Sequence, residues 1–390
     1  MITDIVAPFD ELIERCSEAI ETVDFAAASA WKAQVPGRAI IGCFPVYSPT
    51  ELFHAAGALP VGLTGGGNRL EITHADSRFQ SFICSIIKST LELGITGVLN
   101  DFDGVVFHSI CDPARNLASV FTRNFEKQKI EYIHFPQRLD SPDAIDYLER
   151  EYRRILDWAH EITGHAATDE DLRNSIALYN GVRSAMRRLY DIRRERPYAL
   201  TTRELYILVR YGHIVPPEEH LALLTNVIDQ LQDRPGTPKD RARILIIGSF
   251  CEQPPLDLIA SIEDAGCYII DDDFLLGRRF FSNDIELSDT PLCDLAKAYV
   301  QQSVDASTKH DLKGSKAQRL AQRAREYGVD AVVVLTAKFC EPALFDYVLY
   351  RRALQEANIP HIFLEFEEKA WLFDKIKTEI ETFVESLLFG

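Results

Sequence analysis

F-D-G-V-V-F-H-S-I-C-D-P-A-R-N-L, residues 102–117, is the stretch that decides the fold. Residues 104–110 form a short apolar run rich in β-branched side chains, which predicts a buried strand. The run ends at Cys111, and the following Asp112 and Pro113 suit a helix N-cap and a first helical residue. We therefore expect Cys111 at the carboxyl end of a strand, where open α/β sheets bind ligands. The dipole of the next helix favours a thiolate there.

A second copy of this pattern lies near the other end of the chain. Residues 330–342, D-A-V-V-V-L-T-A-K-F-C-E-P, lead Cys340 onto a Glu-Pro pair at the start of another predicted helix. Upstream of each cysteine, residues 42–63 and 248–270 predict the same series of elements. A strand is followed by a turn that contains proline, then by a helix that ends at a glycine, and then by a second strand. The two copies predict an α/β protein with two similar Rossmann-like lobes built on parallel sheets.

Long polar helical patterns separate the two copies. They cover residues 143–162, 169–196 and 202–232, and the linker D-R-P-G-T-P-K-D follows at residues 233–240. We predict three segments: a first α/β lobe (residues 1–140, with Cys84 and Cys111), a helical connecting segment (141–240) and a second α/β lobe (241–390, with Cys340).

Composition excludes several classes of protein. The 390 residues carry a formal net charge of -17, which argues against nucleic acid as a partner because phosphate binding needs a basic surface. No apolar run reaches the length of a membrane span, and the first residues lack the pattern of a signal peptide, so we expect no membrane association and a cytoplasmic location. Eight cysteines are too few for a disulfide scaffold of this size, which leaves buried thiols, metal ligands or catalytic groups.

Spacing narrows the roles of the cysteines only in part. No C-x-x-C pair occurs, which argues against a zinc knuckle, a thioredoxin-type site and a ferredoxin-type run. The repeat favours Cys111 and Cys340, although a buried structural thiol is the commoner role of any single cysteine. Soft thiolates suit a cubane iron–sulfur cluster, but the pattern alone leaves the third ligand undecided.

Several motifs together carry a resemblance to a known family. They are C-S-I-I-K at Cys84, F-D-G-V-V-F-H-S-I-C-D-P-A-R at Cys111, F-C-E-P-A-L-F-D-Y at Cys340, P-V-Y-S-P-T-E-L-F-H-A-A-G from residue 45 and I-E-D-A-G-C-Y-I-I-D-D-D-F-L-L-G-R-R-F-F from residue 262. In this order, through nearly the whole chain, they resemble the 2-hydroxyacyl-CoA dehydratase and benzoyl-CoA reductase family.

The resemblance implies a cofactor and a function. In that family each of two homologous subunits holds one [4Fe-4S] cluster through three cysteines, which carry over to Cys84, Cys111 and Cys340. The length and the N-terminal motif most resemble the smaller cluster-bearing (gamma) subunit of ATP-dependent benzoyl-CoA reductases, which dearomatise an aryl-CoA thioester by one-electron steps. The remaining cysteines match no ligand position, and no residue is assigned a catalytic role.

The resemblance also implies partners. They are a homologous cluster-bearing subunit and two ATPase electron-activating subunits. ATP is expected on those ATPase subunits only, because this chain has no phosphate-binding loop. Two alternatives stay open: a subunit of a 2-hydroxyacyl-CoA dehydratase that acts through a ketyl radical, and a cluster-free α/β protein that binds a small ligand between its lobes.

Other side chains are weaker candidates. Arg69, beside the triple glycine at residues 65–67, and the pair Arg278 and Arg279 are candidates to bind CoA phosphates, although exposed arginines are usually only solvated. His108 is a candidate proton or hydrogen-bond donor, although a core histidine is the commoner role. Four aromatic residues are candidates to form an aryl pocket: Phe339, Phe345, Tyr347 and Tyr350. Their helical spacing equally favours packing in the core.

The repeat predicts where a cluster would lie. Cys111 and Cys340 leave corresponding strands of two lobes, so one cluster joins them only if the two sheet edges face each other across a cleft. Cys84 is expected inside a helix over residues 79–93 and approaches from the side. The pocket beside the cluster is expected to open toward the partner subunit.

Overall fold

The computed structural model describes residues 7–45, 47–278, 282–302, 305–309, 315–367 and 373–389. Within these residues no helix combines the length and the apolar character that a bilayer span requires. The architecture is α/β, with two four-stranded parallel sheets.

The first lobe is built on a parallel sheet with the strand order β2-β1-β3-β4. Its strands are β1 (Ala39–Cys43), β2 (Ala58–Gly62), β3 (Gly104–His108) and β4 (Lys129–Ile133). Its helices are α1 (Phe9–Glu21), α2 (Ala26–Gln34), α3 (Thr50–Ala55), α4 (Ser85–Ile95) and α5 (Asp112–Asn124). Every residue of β1 and β3 is buried, as expected of central parallel strands covered on both faces.

Four helices connect the lobes: α6 (Ala144–Thr163), α7 (Asp169–Glu195), α8 (Thr202–Tyr211) and α9 (Pro217–Asp233). The continuous helix predicted over residues 202–232 is wrong. Pro216 and Pro217 lack the backbone N–H groups that helix hydrogen bonds need, so α8 ends before them. Pro217 instead occupies the start of α9, where the restricted φ of proline fits.

The second lobe repeats the plan of the first, with the strand order β6-β5-β7-β8. Its strands are β5 (Ala242–Ile247), β6 (Cys267–Asp272), β7 (Ala331–Ala337) and β8 (His361–Phe366). The remaining helices are α10 (Leu256–Asp264), α11 (Pro291–Gln302), α12 (Lys316–Glu326), α13 (Glu341–Glu356) and α14 (Asp374–Phe389). The predicted fold class, two similar Rossmann-like lobes with parallel sheets and a helical connecting segment, is confirmed.

Each sheet changes its direction of winding between its two central strands. In the first lobe this switch lies between β1 and β3, and in the second lobe between β5 and β7. Open α/β sheets bind ligands in the crevice outside the carboxyl ends of the strands at this switch. Cys111 follows β3 and Cys340 follows β7, so both lie beyond the carboxyl ends of strands, as the repeat predicts, and these strands border the switch points.

Helix α7 makes one buried ion pair with each lobe. Nη1 of Arg183 lies 2.6 Å from Oε1 of Glu51 in α3. Ten residues further along, Nη1 of Arg193 lies 2.8 Å from Oδ2 of Asp272, the last residue of β6. The hydroxyl of Tyr190 donates to the same Asp272 carboxylate over 3.0 Å. Because all of these groups are buried, α7 acts as a brace between the lobes.

The substitution Asp272→Asn tests this brace. It leaves the guanidinium of Arg193, which is 1% exposed, as an uncompensated buried charge, and we expect a loss of about 3–5 kcal/mol of stability. Urea or thermal unfolding of the full chain, followed by circular dichroism, measures the loss.

Asp284→Asn is the matched control for this prediction. Asp284 accepts from Arg187 of the same helix over 2.7 Å, but its side chain is 50% exposed. The same change of side chain should therefore cost less than about 1 kcal/mol. Equal unfolding midpoints for the two variants would contradict the role of the buried pair.

Candidate functional site

Three cysteines occupy the same kind of position, the residue immediately before a helix. Cys84 precedes α4, Cys111 precedes α5 and Cys340 precedes α13. Their carbonyl groups accept from the first turns of these helices, for example from Arg115 N–H for Cys111 over 3.1 Å. Each sulfur therefore lies close to backbone N–H groups that have no partner within the helix, which is the positive end of the helix dipole.

The predicted position of Cys84 inside a helix over residues 79–93 is wrong. The helix begins at Ser85, and the residues before it form turns. Cys84 has an extended backbone, with φ -57° and ψ 147°, which is usual for a residue that caps a helix. The third cysteine thus resembles the other two more closely than its sequence context suggests. Helix α5 also begins one residue earlier than predicted, so Cys111 and not Asp112 is its N-cap.

One cavity of about 690 Å³ brings the three cysteines together. Its walls come from both switch points, with Phe44 after β1 and Cys111 after β3 facing Phe250 after β5 and Cys340 after β7. Its size lies in the range of ligand-binding pockets. The other apolar residues that line it are Phe82, Ile83, Ile86, Ile87, Ile110, Pro113, Ala114, Phe339, Pro342 and Phe345, and its polar residues include Gln80, Asn116, Gln137, Ser307 and Thr308.

The thiols influence one another electrostatically. Burial raises the pKa of Cys84 well above its usual range, and the nearby Glu252, Cys111 and Cys340 raise it further. Burial also raises the pKa of Cys111, and Glu341 of the second lobe adds to this effect. Burial therefore opposes the thiolate form that the helix dipole favours. A cation bound in the cavity would reverse the balance, since metal ligands are deprotonated cysteines.

The donor set fits an iron–sulfur cubane. Soft thiolates in an apolar cavity are the ligands that such clusters take, and each cysteine binds a different iron. Among the residues that the structure describes, no three His, Cys, Asp or Glu side chains are grouped closely enough to hold one metal ion. A cubane needs wider spacing than a single ion, because its cysteines surround a cluster of several atoms.

A hydrogen bond joins the two lobes beside the cavity. The backbone N–H of Ile86, in the first turn of α4, donates to Oε2 of Glu252 over 3.3 Å. Glu252 is 2% exposed and lies in the loop between β5 and α10. This contact holds the start of α4, and with it Cys84, against the second lobe. Sequence reasoning missed Glu252, because its partner is a backbone group 166 residues away.

Comparisons with known proteins identify the family. Residues 45–387 match the family described as 2-hydroxyglutaryl-CoA dehydratase, D-component. The chain belongs to this family. It is 35% identical to a benzoyl-CoA reductase subunit of Thauera aromatica, over 97% of this chain and 98% of that protein.

Two further relatives are named as subunits of dehydratases. The chain is 28% identical to the lactoyl-CoA dehydratase beta subunit of Anaerotignum propionicum, over 93% of this chain and 95% of that protein. It is 26% identical to the (R)-phenyllactyl-CoA dehydratase beta subunit of Clostridium sporogenes, over 90% of this chain and 92% of that protein. The relatives are thus subunits of enzymes that act on CoA thioesters.

His108 is a core residue in this member of the family. It lies on β3 with 0% exposure, and its ring meets that of Phe135 edge-on with the centroids 5.4 Å apart. It does not line the cysteine cavity, and neither ring nitrogen has a hydrogen-bond partner among the described residues. Burial lowers its pKa to about 3, so the ring is neutral near pH 7.

The candidate arginines lie apart from the cysteines. Arg69 lines a second cavity of about 140 Å³, together with the glycines at residues 65–67 and the start of α10. Its guanidinium lies 2.5 Å from Glu21. Arg278 faces the buried Asp271, at 3.7 Å, and donates to the hydroxyl of Tyr327. Arg279 lies outside the described residues.

The aromatic candidates divide into two pairs. Phe339 and Phe345 line the cysteine cavity. Tyr347 stacks on Phe363 with ring centroids 4.3 Å apart, and Tyr350 is 8% exposed within the core of the second lobe. Phe339 has a φ of +66°, an unusual backbone conformation for a bulky residue, immediately before Cys340.

The buried His108 predicts a pH dependence of stability. The pKa of His108 is about 3 in the folded chain and near 6.5 in the unfolded chain. Below about pH 6.5 the unfolded chain therefore binds more protons than the folded chain. The free energy of unfolding decreases as the pH falls through this range. At pH 5 the contribution is about 2 kcal/mol. The variant His108→Phe should therefore lose about 2 kcal/mol less than the wild type between pH 7.5 and pH 5. Urea unfolding at both pH values measures the difference, and identical pH dependences would contradict it.

Proposed function

We propose that this chain is the iron–sulfur subunit of an ATP-dependent benzoyl-CoA reductase, equivalent to its smaller cluster-bearing (gamma) subunit. Cys84, Cys111 and Cys340 would hold one [4Fe-4S] cluster. The observation that carries the proposal is the meeting of three helix-capping cysteines around one cavity between the lobes. The choice of reductase is supported by 35% identity to a benzoyl-CoA reductase subunit, against 28% and 26% to the two dehydratase subunits.

The chain supplies the surroundings that such a cofactor needs. A cluster bound there would pass single electrons of low potential toward an aryl-CoA thioester. Backbone hydrogen bonds from Ile87 in α4 and from Ala114 in α5 lower the pKa of Cys84 and of Cys111, so they would stabilise the charge of bound thiolates. Four isoleucine and five phenylalanine side chains line the cavity and would limit the access of water to the sulfur atoms, and exclusion of water tunes the potential.

The cavity wall continues into an exposed apolar surface. This surface favours the proposal that a partner subunit binds there. Phe82 and Phe345 line the cavity and yet are 61% and 75% exposed. Val348 and Leu349, one turn further along α13, are 60% and 50% exposed. Contiguous exposed apolar side chains of this kind mark interaction sites. The homologous cluster-bearing subunit would cover this surface and complete the exclusion of water.

Arg69 is the proposed contact for the CoA portion of the substrate. Its cavity combines a glycine turn with the N-terminus of α10, and both present backbone N–H groups suited to a phosphate. A phosphate would share the guanidinium with Glu21. Arg278 is a weaker candidate than its sequence context suggests, because Asp271 already neutralises it. Arg279 remains a prediction from the sequence.

We expect Ala substitution of any one of Cys84, Cys111 and Cys340 to remove most of the bound iron, because a cluster without one of three thiolates is no longer held. Iron analysis of anaerobically purified protein measures this, together with the absorbance near roughly 400 nm that thiolate-bound iron gives. A colourless, iron-free wild-type chain would favour the alternative of a cluster-free ligand-binding protein.

Cys267→Ala is the control for these variants. Cys267 is fully buried at the start of β6 and does not line the cavity, so its loss should leave the iron content unchanged. Full retention of iron in the Cys111→Ala variant would contradict the ligand assignment.

The isolated chain should neither hydrolyse ATP nor reduce benzoyl-CoA. Its sequence has no G-x-x-x-x-G-K-[ST] loop to hold the phosphates of ATP, so the driving force must come from separate ATPase subunits. Phosphate release and thioester consumption are measured with the pure chain, and then after addition of the homologous subunit and two ATPase subunits. Both activities should appear only in the mixture, and ATP turnover by the pure chain would contradict the proposal.

A subunit of a 2-hydroxyacyl-CoA dehydratase is the second candidate function. The family description and the two dehydratase relatives favour it. The reconstituted complex distinguishes the two: a reductase consumes benzoyl-CoA, whereas a dehydratase releases water from a 2-hydroxyacyl-CoA and leaves benzoyl-CoA unchanged.

A further inference from the structure

The cavity beside Arg69 is lined by both lobes and by the connecting helices. It has a volume of about 140 Å³ and shares no lining residue with the cysteine cavity. Arg210, near the end of α8, lines it, and we call it the Arg210 cavity. Pockets that enclose a whole drug-sized ligand measure at least about 300 Å³. The Arg210 cavity would therefore enclose only one end of such a ligand.

Arg210 gives this cavity an unpaired positive charge. Its half-buried guanidinium makes no hydrogen bond or ion pair with another residue that the structure describes. Arg69, by contrast, is paired with Glu21. Burial lowers the pKa of His213 to about 4, and the charge of Arg210 contributes to this, so His213 is neutral near pH 7. The remaining acidic residue of the wall, Asp257, is exposed to solvent. An unpaired guanidinium favours an anionic ligand.

Backbone groups around the cavity also suit an anion. No side chain caps the start of α10, and its first internal hydrogen bond runs from Ile259 to Pro255. The N–H groups of residues 256–258 therefore have no partner within the helix. On the first lobe, φ changes sign from +85° at Gly65 to -113° at Gly66. Such alternation is typical of backbone nests, which bind phosphates.

Gln253 is a separate indication of a ligand. It lines the cavity and is 5% exposed, and its Oε1 atom has no hydrogen-bond partner among the described residues. Its amide nitrogen donates to the carbonyl of Cys251 over 3.1 Å, which fixes the orientation of the side chain. A buried acceptor without a donor is costly. A protonated phosphate oxygen or a hydroxyl group of the ligand would supply that donor.

One short loop links the Arg210 cavity to Cys84. Glu252, the neighbour of Gln253, accepts from the N–H of Ile86 in the first turn of α4. Pro254 and Pro255 then join Gln253 to α10, and proline fixes the backbone angle φ. A stiff connection of this kind transmits order from one end to the other. A ligand held at the start of α10 would therefore also steady the start of α4.

We propose that the Arg210 cavity binds the phosphate group of an organic phosphate, and that its occupation steadies the helix start that carries Cys84. The phosphate belongs either to coenzyme A, as in a CoA thioester, or to a free nucleotide. The inference deepens the proposed function and rests on it for the role of Cys84 as a ligand. Arg210 donates to the phosphate oxygens, and no covalent bond changes.

Calorimetric titration of the full chain with inorganic pyrophosphate tests the site. Arg210→Gln should bind at least about tenfold more weakly than the wild type, because a hydrogen bond to a charged group is lost. Arg188→Gln is the matched control, since Arg188 is exposed on α7 and does not line the cavity. It should bind as the wild type does. Absence of binding, or equal affinities of the wild type and Arg210→Gln, would overturn the inference.

Amide hydrogen exchange tests the link to Cys84 and needs no Arg210 variant. Pyrophosphate should slow exchange in the wild type at the start of α10 and at the start of α4. Glu252→Ala should keep the effect at α10 and lose it at α4, because the hydrogen bond to Ile86 is removed. If the wild type shows slower exchange at α10 alone, the link is overturned.

Comparison of three ligands identifies the source of the phosphate. Tighter binding of CoA than of 3′-dephospho-CoA and ADP would assign the cavity to coenzyme A, whereas equal binding of ADP would assign it to a free nucleotide. These titrations need no iron. A chain that binds pyrophosphate but takes up no iron would support the site and contradict the proposed function. An iron-replete chain that does not bind pyrophosphate would do the reverse.

Discussion

The two buried ion pairs of α7 fix the distance between the lobes. Arg183 and Arg193 are ten residues apart on one helix, which corresponds to about 15 Å, and each is paired with a carboxylate of a different lobe. A shift of either lobe would separate buried charges, at a cost of several kcal/mol. The cavity between the switch points therefore has defined dimensions before any cofactor binds, and cysteines from separate lobes meet there.

The same geometry links the burial of the cysteine thiols to their ability to bind a cation. The facing sheet edges shield the sulfur atoms from most of the solvent, and the pKa of Cys84 and of Cys111 rises as a result. The energetic cost of ionising these thiols would fall if a cation lay among them, because the same low dielectric that disfavours an isolated thiolate strengthens its attraction to a cation. The helix N-termini contribute a smaller effect of the same sign.

Short sequence patterns predicted those parts of the site that depend only on residues adjacent in the chain. An apolar run followed by Cys-Asp-Pro located the turn between β3 and α5 to within a residue. A second apolar run, followed by Cys-Glu-Pro, located the turn between β7 and α13 in the same way. Long-range contacts determined the rest. Glu252 holds the start of α4 across the lobes, and the two acidic residues that end β6 pair with Arg193 of α7 and with Arg278. Such contacts leave no signature in the spacing of residues along the sequence.

Under the proposed function, the exposed rim of the cavity gives a physical reason for the activity to require an assembly. Electrons of low potential require a dry site, whereas ATP hydrolysis requires phosphates that exchange with solvent, and one small cavity cannot satisfy both conditions. Phe82 and Phe345 leave this chain with a partly solvated cavity mouth, so water is excluded only when another protein covers them. Burial of the rim by a partner would thus control when the site can hold a strongly reducing electron. Under the proposed function, this conflict would place the ATPase on separate subunits.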